Sequence, residues 1–519
     1  MTDLMTLLQR EGNVAEVLSR LSGLAAYPDS MVGDQESLFF LGRGTRGRYL
    51  GLLMGSRPEP CFELDIHPVG AGGTELLLGL GRANHTNAQA LRARLPFTAP
   101  IRVGVCKSAG LGDRLGIATP GHIRALRKVK GVFPILAQQS IREMERTGRT
   151  PEEVMDAATW GVFQEGWRGG FGADADHLKT AADIDLCAAA GFVTYTLDPR
   201  EHVDVGAETD SPVILEAKLM ALPWERLASN PLTMRKAYLG KAIPAPEMGG
   251  ATAECFPQKV DEERLLCAAC KYGHALAHLV AMYQHLARVM AGRSFEVEIS
   301  VDETDVPTTP VEHYYIASEL KRLGVEWISL APRYVGRFEK GVDYIGNLAR
   351  FEADFRTHVA IAKALGPYKL CLHSGSDKFS IYPLVARIAE ELVHLKTAGT
   401  SYLEALRAVA RLDPMLFRDI LRFAVAHYQQ DRASYYVSAK VANVPGPDWV
   451  SDSALGELLD HFDVRQVLHV TFGTVLTAQD EQGEPLFRGR LLAALEANEE
   501  VHYAALQAHI GRHLAPFSD

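Results

Sequence analysis

The chain has 519 residues, 47% of them hydrophobic and 23% charged, with a net charge of −10. That composition excludes a disordered or fibrous protein, and the lack of any dense Lys/Arg run argues against a nucleic-acid partner. The apolar runs read as short and interrupted by charge, and MTDLMTLLQREGNVAEV lacks the basic start and apolar stretch of a signal peptide, so a cytoplasmic protein without a membrane partner is expected.

Residues 1–95 mix short apolar runs with Gly and Pro and read as a strand-rich N-terminal extension. From residue 96 the texture changes to short strand-like runs followed by helical periodicity. Eight such runs are Ile101–Cys106, Phe133–Ala137, Gly170–Ala173, Phe192–Thr196, Phe295–Val301, Trp327–Leu330, Tyr368–Leu372 and Tyr435–Ala439, with a ninth candidate at Val467–Phe472. Several are almost continuously apolar, as parallel strands covered by helices are. The expected class is therefore α/β: a TIM-like (β/α) barrel over 96–475, a helical insertion at about 200–290 and a helical tail over 476–519. Helical stretches are expected at Leu265–Ala291 and Tyr382–His427. Thr309-Pro310-Val311-Glu312 and Thr180-Ala-Ala-Asp183 are capping-box starts. Each lies just after a polar cluster, which puts the clusters in strand-to-helix loops at the catalytic face of a barrel.

The densest cluster packs Asp174, Asp176, His177 and Lys179 into six residues. Asp174 reads as turn or cap chemistry and Asp176 as acid–base chemistry. In the fifth run, alternation turns Val297, Ile299 and Val301 toward helices and Glu296, Glu298, Ser300 and Asp302 to the other face. Such a face is costly inside a barrel unless its acids are paired, metal-bound or near the wet mouth. Glu303 follows, and His313 comes ten residues later. A third cluster, His373-Ser374-Gly375-Ser376-Asp377-Lys378, ends the seventh run. Lys107, Asp113, Arg114 and Gln138 follow earlier runs, and Lys440 ends the last.

His177, His313 and His373 thus follow three different strands, each beside carboxylates. A hydrogen-bonded structural role competes for any one of them, and their coincidence points to a site for one divalent cation. Imidazole with carboxylate suits Mn, Fe, Co, Ni or Zn. Glu298 and Asp302 are reserve ligands or acid–base groups, and Lys179, Lys378, Gln138 and Ser374 are candidates for substrate binding. Three other patterns carry less. The CxxC at Cys267 and Cys270 lies in a helical stretch with no second pair, and GLGDRLG at 110–116 lacks the GxGxxG spacing. His274 and His278 share a helix face without an HExxH motif. The seven scattered cysteines suit a reducing compartment.

The segments GLGDRLGIATPGHIRAL, FGADADHLKT, FEVEISVDETDVPTTPVEHYYIASEL and LCLHSGSDKFSIYPL resemble the tagaturonate epimerase family of hexuronate catabolism. The resemblance implies a divalent-metal-dependent epimerase that interconverts the acidic sugars D-tagaturonate and D-fructuronate. It carries over His177, His313 and His373 as ligands and Asp176 and Glu303 as acid–base groups. The residues also fit a metal-dependent aldolase or isomerase of another acidic ketose, or a non-catalytic sugar-acid sensor.

Overall fold

Eight short parallel strands close into a barrel in chain order: β1 (Ser108–Gly110), β2 (Phe133–Ser140), β3 (Gly172–Leu178), β4 (Thr194–Leu197), β5 (Glu296–Val301), β6 (Ser329–Pro332), β7 (Lys369–Leu372) and β8 (Val393–Lys396). Closure comes from β8 pairing with β1, with Lys396 opposite Gly110. The computed structural model describes residues 4–33, 36–55, 61–71, 73–246 and 259–519.

Side-chain alternation separates the two faces of the barrel wall. Val297, Ile299 and Val301 of β5 join the main apolar core between strands and helices. Glu296 and Glu298 face inward. Glu296 accepts the backbone N–H groups of Val103 and Gly104 at the barrel floor, at 2.8 and 2.6 Å. The helices that return the chain start where their caps dictate. Thr150, Thr180 and Thr309 each form a complete capping box.

Two of the expected strands lie elsewhere. Ile101–Cys106 is not a strand; β1 is the short Ser108–Gly110 segment just after it. Tyr435–Ala439 lies outside the barrel, and so does Lys440; the eighth strand is Val393–Lys396, inside the stretch expected to be helical. Its four residues, VHLK, alternate apolar and polar too briefly to compete with the helical pattern on both sides. Val467–Phe472 belongs to the end of helix Phe462–Val470 and the start of helix Phe472–Thr477. Its buried Val464, Val467 and Leu468 have the three-to-four spacing of a helix face.

Before the barrel, the long strands Ser37–Gly44, Gly47–Met54, Asp65–Ala71 and Thr74–Arg82 form an antiparallel sheet. Leu38, Phe40 and Leu53 on one face pack with Leu8 and Leu18 of the N-terminal helices. Phe39, Leu41 and Leu52 on the other pack with Trp160 and Phe163 of helix Pro151–Gln164. That face docks the sheet on the barrel. Between β4 and β5 the chain inserts helices Pro212–Ala221, Pro231–Tyr238 and Glu262–Val289. Helix Glu262–Val289 is long and apolar enough to cross a membrane, contrary to the reading that every apolar run is too short, but 78% of its most apolar window is buried in the fold. After β8, helices from Thr400 onward build a second apolar core that leans over the barrel mouth.

Candidate active site

The mouth of the barrel is organised around Lys396, the last residue of β8. Its Nζ lies 2.8 Å from Asp174 and 2.7 Å from both Asp176 and Glu298. It also donates to Thr196 Oγ1 at 3.0 Å. Gln138 Nε2 donates to the other oxygen of Asp176 at 3.1 Å. Three buried carboxylates around one ammonium leave an excess of two negative charges, which must attract further cations.

Two imidazoles sit next to that excess. His373 follows β7 directly; its Nε2 is 2.6 Å from Glu298 Oε1 and its Nδ1 is 3.0 Å from Asp302. His177 Nδ1 is 3.0 Å from Asp198, and its ring centroid lies 4.8 Å from that of His373. His177 has a left-handed backbone, φ 55°, a costly conformation for a non-glycine residue that turns the end of β3 toward the cavity. Burial alone would drive both rings neutral. Instead Asp176, with Asp198, raises His177 to about 9, and Asp302, with Glu298, raises His373 well above the ordinary imidazole value. Asp174 responds in the opposite sense, pushed by burial to about 6 against the pull of Lys396.

A cavity of about 390 Å³ opens over this cluster, lined by His177, His373, Asp302 and Glu303 on the barrel side and by Arg142, Arg200, Arg333, Lys340, Tyr435 and Tyr436 around them. Glu303 accepts from Arg142 at 3.0 Å and from Arg200 at 2.7 Å. Burial would raise its carboxyl, but His177, Arg142 and Arg200 hold it well below the usual carboxylate range.

The expected site residues therefore divide. Asp176, His177, Glu298, Asp302, Glu303 and His373 converge, and Ser374 lines the cavity. His313 does not join them. It is fully buried on the first turn of helix Pro310–Arg322, with Nδ1 2.8 Å from His358 and Nε2 2.8 Å from the Tyr368 hydroxyl. Its side chain turns outward into the packing between helix and barrel, because the helix has already carried the chain away from the mouth. Lys378 is spent on the carbonyls of Glu339, Val342 and Ser376 at 2.6–2.8 Å, so it pins loops and offers nothing to a substrate. Lys179 pairs with Glu201 at 3.0 Å on the outer rim. Gln138 supports Asp176 from below and does not line the cavity. Asp174, read as a cap, is instead a lumen carboxylate held by Lys396 and by Thr196 Oγ1 at 2.9 Å.

Sequence reasoning missed Lys396, Asp198, Arg142, Lys340 and Tyr435. Asp198 was accessible: it follows the strand ending at Leu197, as Asp302 follows β5. Lys396 was hidden with its strand.

A divalent cation fits the donor set. Ligand atoms of Asp176, His177 and His373 lie within 4.8 Å of one another. Two imidazoles with carboxylate is a borderline-metal donor set. A second His/Asp cluster, Asp377 with His509 and His513, is already satisfied: Arg465 lies 2.9 Å from Asp377, whose backbone N–H donates to His513.

The sequence matches the tagaturonate epimerase family over residues 27–517. A tagaturonate/fructuronate epimerase from Thermotoga maritima is 44% identical over 431 residues, 83% of this chain and 85% of its own length. The crystal structure of fructuronate-tagaturonate epimerase UxaE from Cohnella laeviribosi with one glycerol superposes with a TM-score of 0.87 at 36% identity, covering 98% of this chain and 99% of that one. Its native form gives 0.86 at 36% identity, covering 97% and 99%. With the family matched over nearly its whole length, the chain belongs to the tagaturonate epimerase family of enzymes.

Proposed function

We propose that this enzyme interconverts D-tagaturonate and D-fructuronate at the barrel mouth, with a divalent cation held by Asp176, His177 and His373. The observation that carries the reading is the convergence of those two imidazoles on a cluster of three carboxylates and one ammonium. Asp176 thereby serves as a ligand, fixed by Lys396 and Gln138, and Glu303 is left as the acid–base group facing the cavity. Such a cation, when bound, would supply Lewis-acid polarisation of the ketone oxygen.

The two sugar acids differ at the carbon two removed from the ketone, where a hydrogen is not acidified by that carbonyl. Inversion there is reached by a retro-aldol route. Glu303, kept ionised by its two arginines, accepts the proton of the hydroxyl on that carbon. The adjacent carbon–carbon bond breaks, the hydroxyl oxygen becomes an aldehyde, and the bond's electron pair passes into the ketone to give an enediolate. The aldehyde turns its other face, the bond re-forms, and Glu303 returns the proton. Arg142 and Arg200 hold the Glu303 carboxylate in place throughout.

The test is turnover of tagaturonate by purified protein before and after exhaustive chelation, followed by addition of manganese, nickel, cobalt, iron or zinc. Loss on chelation with recovery on one of these metals supports the reading. Full activity in the chelated protein removes the cation from it, and no turnover under any condition removes the reaction.

A further inference from the structure

Four arginine and lysine side chains line the cavity, and their circumstances differ. Arg142 and Arg200 both serve Glu303. Arg333 donates to the carbonyl of Thr304 and lies 5.3 Å from the ring centroid of Tyr436. Lys340 forms no ion pair among the described residues; its hydrogen bond goes to Ser374 Oγ at 3.0 Å. An ammonium has three N–H donors, so two remain for a ligand.

Lys340 is also held firmly. On one side Glu339 accepts hydrogen bonds from Ser438 and Gln466 at 2.7 and 2.9 Å. On the other, the Gly341 carbonyl accepts from Arg465 at 2.6 Å and the Val342 carbonyl from Lys378 at 2.6 Å. A fixed, half-buried ammonium with spare donors is a preorganised anion site. Burial, reinforced by the Arg142 charge, lowers its hold on the proton, a penalty that an adjacent anion would relieve.

We propose that Lys340, oriented by Ser374, binds the carboxylate of the sugar acid and sets the preference for acidic over neutral ketoses. This assignment rests on the proposed epimerase reading and adds a role to it. Retro-aldol cleavage gives a three-carbon enediolate and a three-carbon aldehyde, and the aldehyde fragment keeps the carboxylate. That fragment must turn over without leaving. Held by its carboxylate at Lys340, it can rotate its aldehyde face while the far end stays anchored. Ser374 directly follows His373, so the anchor and the candidate metal centre share one loop.

The experiment compares wild type, Lys340→Met, Lys340→Arg and Ser374→Ala on tagaturonate and on tagatose, its neutral counterpart, with calorimetric binding of each sugar. A lost charge-assisted hydrogen bond predicts about a 10- to 100-fold weaker Kd and higher KM for tagaturonate in Lys340→Met. Tagatose binding should change less than about threefold, Lys340→Arg should keep part of the acid preference, and Ser374→Ala should shift it by a few-fold. Equal losses on both sugars, or an unchanged Kd for tagaturonate, overturn the proposal. If Lys340→Met fails to fold, the acid-to-neutral ratio in the other two variants decides: unchanged in both, the assignment is wrong. If wild type inverts neither sugar, the reaction reading fails, and the binding comparison still judges Lys340.

Discussion

His373 directly follows β7 and lines the cavity, whereas His313 is fully buried on a helix that starts after β5, and their surroundings push the two imidazoles in opposite directions. His373 lies between Glu298 and Asp302 and is raised toward imidazolium. His313 lies between His358 and the hydroxyl of Tyr368, and burial, reinforced by His358, keeps it neutral. The difference comes from what faces each ring across neighbouring strands and helices. A histidine next to acids in the chain can still end among neutral partners once a helix has turned it outward.

Removing the acid-wired ring is the largest perturbation on offer. His373→Ala should lower kcat/KM by about 1,000-fold or more and reduce bound metal in the same preparation, since ligand and polarising charge go together. Normal metal content by elemental analysis would place the cation elsewhere and break the contrast with His313. Next comes Lys396→Met, which leaves Asp174, Asp176 and Glu298 buried without their shared ammonium. Uncompensated buried charge costs about 3–5 kcal/mol, so thermal melting should drop sharply, and turnover should fall about 100-fold. Saturating divalent metal should restore part of the melting temperature. A melting curve like that of wild type would show that these carboxylates do not depend on Lys396.

The contrast between these two histidines was not legible in the sequence, although much of the barrel and its mouth was, and the failures have physical causes. The alternation of EVEISV placed Glu298 in the lumen, and the polar clusters after β3, β5 and β7 marked the mouth. Eight β/α units were counted correctly, but two of them for the wrong segments. Val393–Lys396 is too short for a period of two to show between helices, and the lysine that ends it reads as a surface residue until β8 is closed against β1. Tyr435 looked like strand because aromatic residues favour extended chain; the structure uses that extended stretch to wall the cavity. His313 was misplaced because linear adjacency to a strand says nothing about rotation along a helix. No local signal could pair Arg142 with Glu303, 161 residues apart.

The neutral ring gives a smaller effect and the sharper control. His313→Phe removes two buried hydrogen bonds and leaves the His358 nitrogen and the Tyr368 hydroxyl to find new partners. Stability should fall by about 2–3 kcal/mol, read by chemical denaturation, while metal content and kcat/KM stay within about threefold of wild type. Loss of metal in this variant would bring His313 back into the site.

The smallest effect is a slope. His122 and His502 belong with His313: burial lowers each to about 4, although nearby Asp113 pulls the other way. His122 Nε2 lies 2.7 Å from Ser401 Oγ in a buried contact. In the unfolded chain both titrate near 6.5. Between about pH 6.5 and pH 4 the unfolded state therefore binds more protons than the folded one. The contribution of these rings is complete above pH 6.5 and is lost as pH falls toward 4, at about 1.4 kcal/mol per pH unit for each. Denaturation midpoints measured from pH 7 to pH 4.5 should decline accordingly, and His122→Gln should make the decline shallower by one histidine's share. An unaltered slope in that variant would mean that His122 is protonated in the folded protein, and burial would no longer outweigh the pull of Asp113 in keeping such histidines neutral.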